Sequence, residues 1–220
     1  MSDRTLDLVP IVHAEADLGR LADTARAASG DRDAWARKQR VVEELWRSIE
    51  RWTESLHVVP GRIHVYQDGL PICGQEVRIV GDLARQGSRN HRILERLLRR
   101  GAVLHGTEQP ELLLEEYEQV RRALEAAGDG GTAAAARGDG GNGSVDAAAR
   151  ELLRRRDAFI ARRIDETLPA GGAGILFIGL LHDVESHLPG DVVVRHPVGR
   201  PAPAAGAQPA DARSAEESRP

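Results

Sequence analysis

The chain has 220 residues, 41% of them hydrophobic and 29% charged, with a formal charge of -4; this is the balance of one soluble globular domain and argues against a general polyanion binder. One cysteine, Cys73, excludes an internal disulfide and a Cys-pair zinc site. The sole lysine, Lys38, stands in a charged stretch with no glycine loop before it, which excludes P-loop and Schiff-base chemistry. No apolar run approaches the ~20 residues of a membrane span, and the opening Met1 to Asp7 lacks the parts of an export signal. A cytoplasmic protein with no membrane or nucleic-acid partner is therefore expected.

In chain order, Leu6 to His13 reads as a first strand broken by Pro10, followed by a helix from Ala16 to Ala28. A long helix from Asp31 to Leu56 has apolar residues at spacings of three, four and seven, with its tryptophans as packing residues. Arg62 to Gln67 alternates as a strand and is expected to stop at a turn, Asp68-Gly69-Leu70-Pro71. Helices over Gln75 to Arg85 and Ser88 to Arg100, a strand over Ala102 to Gly106, and a helix opened by Pro110 and running to about Ala126 come next. Val145 to Leu168 forms another long helix, and Gly174 to Leu181, apolar on both faces, is a central strand. Asp191 to Arg195 is a last strand; the short link before it leaves it antiparallel, or crossing by a single short turn.

Two segments lack the apolar content to repay their ordering entropy. Residues 127–144, with seven glycines in eighteen residues, read as a flexible Gly/Ala-rich linker, and 199–220, without Val, Ile, Leu or an aromatic residue, as a disordered tail. The expected organisation is one α/β domain over residues 1–198, with a mostly parallel sheet and helices on both faces. The linker's Gly138, Gly140 and Gly143 match a dinucleotide fingerprint only formally, because an alanine run and not a strand precedes them.

Open parallel sheets bind ligands beyond the carboxyl ends of their strands. Here those ends carry His13 and Glu15, Asp68, His105 and Glu108, and His182, Asp183, Glu185 and His187. Capping alone accounts for a single acidic ending, but four polar endings on one edge point to a pocket. Arg156 adds an independent line: it lies four after Leu152 and four before Ile160, inside the helix's apolar stripe. A charge there must find a partner, and about 18 Å of helix carries it to the carboxyl edge of the sheet. The bland alternative is a structural ion pair with a carboxylate. Neither a G-x-S-x-G elbow nor an H-E-x-x-H helix is present, and the deaminase-like His13-Ala14-Glu15 has no cysteine pair to go with it. Cys73 reads as a small buried residue.

The stretch Arg156-Asp157-Ala158-Phe159-Ile160-Ala161, with Arg163-Ile164 and then Gly174-Ile175-Leu176-Phe177-Ile178-Gly179-Leu180-Leu181-His182, resembles the second half of the TraB, ChaN and erythromycin-esterase-like superfamily. In that group an arginine-bearing helix precedes a strand ending in Gly-x-x-His. The resemblance covers about a third of the chain; it implies Arg156 and His182 as site residues and puts Glu108 at the family's acidic position. Members hydrolyse esters or peptides, bind haem, or lack a known activity.

Two functions compete. In the first, a hydrolase-like enzyme uses His13, Glu108, Arg156 and His182 as its catalytic set: Glu108 or His13 is the base and Arg156 holds an anionic group. Glu15, Asp68, His105 and Asp183 would contact ligand, and His13, His182, Glu185 and His187 could ligate a divalent Zn, Mn or Fe ion. In the second, a non-catalytic module or regulatory subunit uses the same pocket for a small polar or anionic ligand. Homo-oligomerisation is left open.

Overall fold

The computed structural model describes residues 3–12, 32–128 and 142–199. The expected helix at Ala16 to Ala28, residues 129–141 of the expected linker, and the tail beyond Gly199 lie outside them. Five strands, β1 (Arg4–Ile11), β2 (Ile63–Pro71), β3 (Val103–Glu108), β4 (Ala173–Gly179) and β5 (Val192–Arg195), form one sheet in the order β3-β2-β4-β1-β5. Every pairing is parallel. The α/β class and the central place of the apolar β4 are as the sequence implies.

The helices are α1 (Arg32–Ser55), α2 (Glu76–Arg85), α3 (Arg89–Arg99), α4 (Pro110–Gly128) and α5 (Asn142–Thr167). Strand alternation splits the core in two. Val9, Ile11, Val65, Ile175 and Phe177 meet Trp46 and Ile49 of α1, Val80 of α2 and Leu94 of α3 on one face. On the other, Leu6, Leu8, Tyr66, Leu176 and Ile178 meet Ile160, Ala161 and Ile164 of α5. Links that run toward β3 use the first face and links that run toward β5 use the second, which gives every crossover the same hand.

Three expectations are corrected, and one left open is decided. Pro10 does not break β1: it pairs with Ile178, and among the described residues the pairing of β1 with β5 ends at Asp7, so a missing N–H is tolerated on that flank. For the short last strand the second alternative, a crossing by a single short turn, is the one found: β5 is parallel and pairs with β1. Its link crosses β1 with one 3-10 turn (Glu185–His187), and Val184 of that link is buried in the α5-side core. Cys73 is exposed, not buried. Asp68-Gly69-Leu70-Pro71 is not a turn that ends the strand: Gln67 pairs with Gly106 and Pro71 with Glu108, so four steps of β2 face two of β3 in a bulge. Gly69 makes it at φ 76°, in the left-handed region where a side chain would be strained. β3 accordingly runs on to Glu108, beyond the expected end at Gly106.

Candidate functional site at the carboxyl edge

β2 hands on toward β3 over one face and β4 toward β5 over the other, so the crevice between their carboxyl ends is the topological switch point of the sheet. The β2 to β4 ladder ends at Gln67 and Phe177. Two residues on, the Asp68 carboxylate takes over from the backbone, accepting the Gly179 N–H at Oδ2 over 3.1 Å. A Cβ on Gly179 would lie 3.1 Å from Asp68 Oδ2 and 3.4 Å from His182 Cδ2, so the first residue of Gly-x-x-His is what lets the acid and the imidazole close over the strand end.

Arg156 reaches this point from α5, as its place in the apolar stripe implies. Nη2 donates to Asp68 Oδ1 and to Glu108 Oε1, each at 2.9 Å, and Nη1 to Glu116 Oε1 at 2.5 Å. Asp157, one residue on, accepts from His182 Nδ1 at 2.5 Å and from the Asp183 N–H at 3.0 Å. His182 Nε2 lies 3.3 Å from Asp68 Oδ2. The imidazole is thus held between two carboxylates, and Asp68 joins the histidine to the arginine. Side-chain exposure is 0% for Glu108 and 6% or less for Asp68, Arg156, Asp157 and His182; Glu116, at 45%, faces water.

Among the described residues, two buried cations therefore serve three buried acids, and the imbalance decides who holds a proton. Burial opposes the charged imidazole, but the hydrogen bonds to Asp157 and Asp68 outweigh it and raise His182 to about 9. Burial also opposes ionisation of Asp68, yet the His182 imidazolium and the Arg156 guanidinium hold it well below the usual carboxylate range. Glu108 is the acid left over. Burial lifts it, Arg156 offsets part of the rise, the Asp68 charge adds to it, and Glu108 is pushed up to about 7.

Of the expected site residues, Asp68, Glu108, Arg156 and His182 meet in one network. His13 and Glu15 lie outside the described residues. His105 sits three residues before the end of β3 and turns away from the cluster, bonded to His64 Nδ1 at 2.8 Å and stacked on Tyr66. Asp183 contributes its backbone, while its side chain is exposed. The described members of the expected metal set do not converge: both ring nitrogens of His182 face carboxylates, Glu185 pairs with His196 at 3.2 Å, and His187 is exposed. No group of three His, Cys, Asp or Glu suited to a metal ion occurs among the described residues. Arg156 is engaged by three carboxylates, so it anchors acids and is not a free anion clamp.

Asp157 and Glu116 were not anticipated. A signal for Asp157 existed, because Asp157, Ala161, Ile164 and Leu168 follow one another at spacings of four, three and four, and the last three line the core. Two cavities stand out, and neither touches the cluster. One of about 480 Å³ lies between α1 and α3, where Arg100 already bonds the Thr53 carbonyl, and one of about 370 Å³ lies at the amino edge of the sheet. No helix among the described residues is long and apolar enough to cross a membrane. No protein-family model matches the chain, no curated protein matches it, and no solved structure matches it.

Proposed function

We propose that the chain is a hydrolase-like enzyme whose reaction centre is the Asp68, Glu108, Arg156, Asp157 and His182 network, acting on a small polar or anionic substrate. The observation that carries this reading is Glu108, a fully buried carboxyl poised near neutrality at the switch point of a parallel sheet. As a carboxylate it takes the proton from a water molecule whose oxygen attacks an electrophilic carbonyl; as the acid it returns that proton to the leaving oxygen or nitrogen. Arg156 and His182 are positioning residues in this scheme, holding Glu108 and Asp68 in place and setting the local charge. The resemblance to the TraB, ChaN and erythromycin-esterase-like group is part of the same proposal, since the three residues it implies belong to one network.

The second reading, a non-catalytic module, has one observation in its favour: every group in the network is partnered from within, and Glu108 has no exposure. There the cluster would be an ion lock that holds the crevice together. Turnover of p-nitrophenyl acetate, p-nitrophenyl butyrate and a fluorogenic peptide pool, followed across pH about 5.5 to 9 for the wild type and Glu108→Gln, separates the two. The enzyme reading expects a rate that rises with a midpoint near pH 7, set by Glu108, and vanishes in the variant. No turnover of any probe, or turnover that survives Glu108→Gln, overturns it.

A further inference from the structure

At the amino edge of the sheet, the loops leading into β2 and β4 enclose the cavity of about 370 Å³, lined by residues 59, 61 to 64 and 169 to 173. Its polar groups are of one kind. Arg62 is exposed; its backbone N–H donates to the Val59 carbonyl at 3.0 Å, but among the described residues its guanidinium has no hydrogen bond or ion pair and no Asp or Glu lines the cavity. His64 supplies the other polar side chain. Its Nδ1 is tied to His105 Nε2 at 2.8 Å, with the ring planes 9° apart, and its Nε2 has no partner among the described residues. The remaining lining is apolar side chain, Val59, Ile63, Pro169 and two alanines, or glycine backbone.

A guanidinium beside an imidazole, with no acid among the described residues to neutralise it, calls for an anion. One guanidinium and one ring N–H match the two oxygens of a carboxylate, whereas a phosphate dianion would turn its further oxygens against apolar walls. We propose that this cavity binds a small monocarboxylate with an apolar tail, its carboxylate between Arg62 and His64 Nε2–H and its tail against Val59, Ile63 and Pro169. Such a ligand needs His64 to donate from Nε2, so Nδ1 must accept from His105 Nε2–H, and binding fixes the tautomers of both rings. His64 and Asp68 lie four residues apart on one face of β2, about 13 Å, so the site stands independently of the reaction centre proposed above.

The test is a titration of the ¹⁵N-labelled full chain with sodium butyrate, with acetate and inorganic phosphate as comparison probes, read at the histidine rings and at the Gly61, Gly171 and Gly172 amides. Butyrate should give saturating shifts there, move His64 Nε2 to its protonated position, and bind about tenfold more tightly than acetate, from two further methylenes. Arg62→Gln should abolish the response without changing the melting temperature, because the backbone bond to Val59 is kept and the guanidinium has no partner among the described residues to strand. His182→Asn, confined to the opposite edge, should bind butyrate as the wild type does. Shifts that do not saturate, an equal response to phosphate, or wild-type affinity in Arg62→Gln would overturn the proposal.

Discussion

Arg4 and Arg156 are both buried, at 7% and 5% exposure, Arg4 packed against α5 from β1 and Arg156 projecting from α5 itself, yet they hold their acids under opposite conditions. Arg4 forks onto Asp191 with two bonds of 2.8 Å, reaches Asp165 at 2.7 Å, and donates to the carbonyls of Asp165 and Leu168. Its acids are about half exposed, so water solvates whatever charge the arginine leaves over. Two of the three acids on Arg156 have no such outlet. Similar pairings thus make a clasp at one end of the helix and a proton-holding cluster farther along it, and solvent access to the acids is what differs.

The largest effect expected from this contrast is for Arg156→Met, which strands Asp68 and Glu108 in the interior and should cost about 3 to 5 kcal/mol in urea unfolding. A loss below about 1 kcal/mol would put the cluster on the footing of an exposed pair. Next comes the pH dependence. Glu108, raised from 4.5 to about 7, weakens the fold as pH climbs through that interval. His182, raised from 6.5 to about 9, contributes in full below 6.5 and loses its contribution as pH rises through 9. Asp68 acts oppositely, contributing above its ordinary 3.8 and losing that as pH falls. Stability should therefore be greatest at mildly acidic pH and fall by about 3 kcal/mol or more toward pH 9.5. Glu108→Gln should flatten the lower half of the slope and His182→Asn the upper; a profile that rises toward alkaline pH would refute the charge count.

Arg4→Met should cost less, about 2 kcal/mol, because Asp165 and Asp191 return to water and only the carbonyl contacts are orphaned. A loss equal to that of Arg156→Met would erase the distinction. Glu116→Gln, at the wet end of the Arg156 network, is expected to change stability by under about 1 kcal/mol. A larger loss would show that Glu116 belongs to the buried charge balance after all.

How far the sequence reveals this depends on whether periodicity or register sets each residue's place. Arg156 and the apolar β4 are legible because helical spacing and a two-faced apolar run each have one physical reading. Asp157 carries a similar spacing signal but is masked by the arginines around it; of those, Arg154, Arg155 and Arg162 are solvated, whereas Arg163 is half-buried and donates to the Gly106 carbonyl. The bulge is not legible: Asp-Gly-Leu-Pro suits a turn, and only pairing with β3, a contact between distant residues, keeps it in the strand. Asp68 and Glu108 owe their meeting to that register. For β5 the short link leaves two readings, antiparallel or crossing by a single short turn, and spacing alone does not choose between them; the burial of Val184 in the α5-side core does.

The central claim is that the carboxyl-edge cluster holds one proton more than ordinary carboxylates would, and that Glu108 carries it. Side-chain ¹³C NMR of glutamate-labelled protein, with the Glu108 carboxyl assigned by its disappearance in Glu108→Gln, measures this directly in the folded wild type. The account predicts a titration midpoint close to 7 for that one signal. A Glu108 carboxyl that titrates at or below the ordinary 4.5 would contradict it, leaving the network a saturated ion lock.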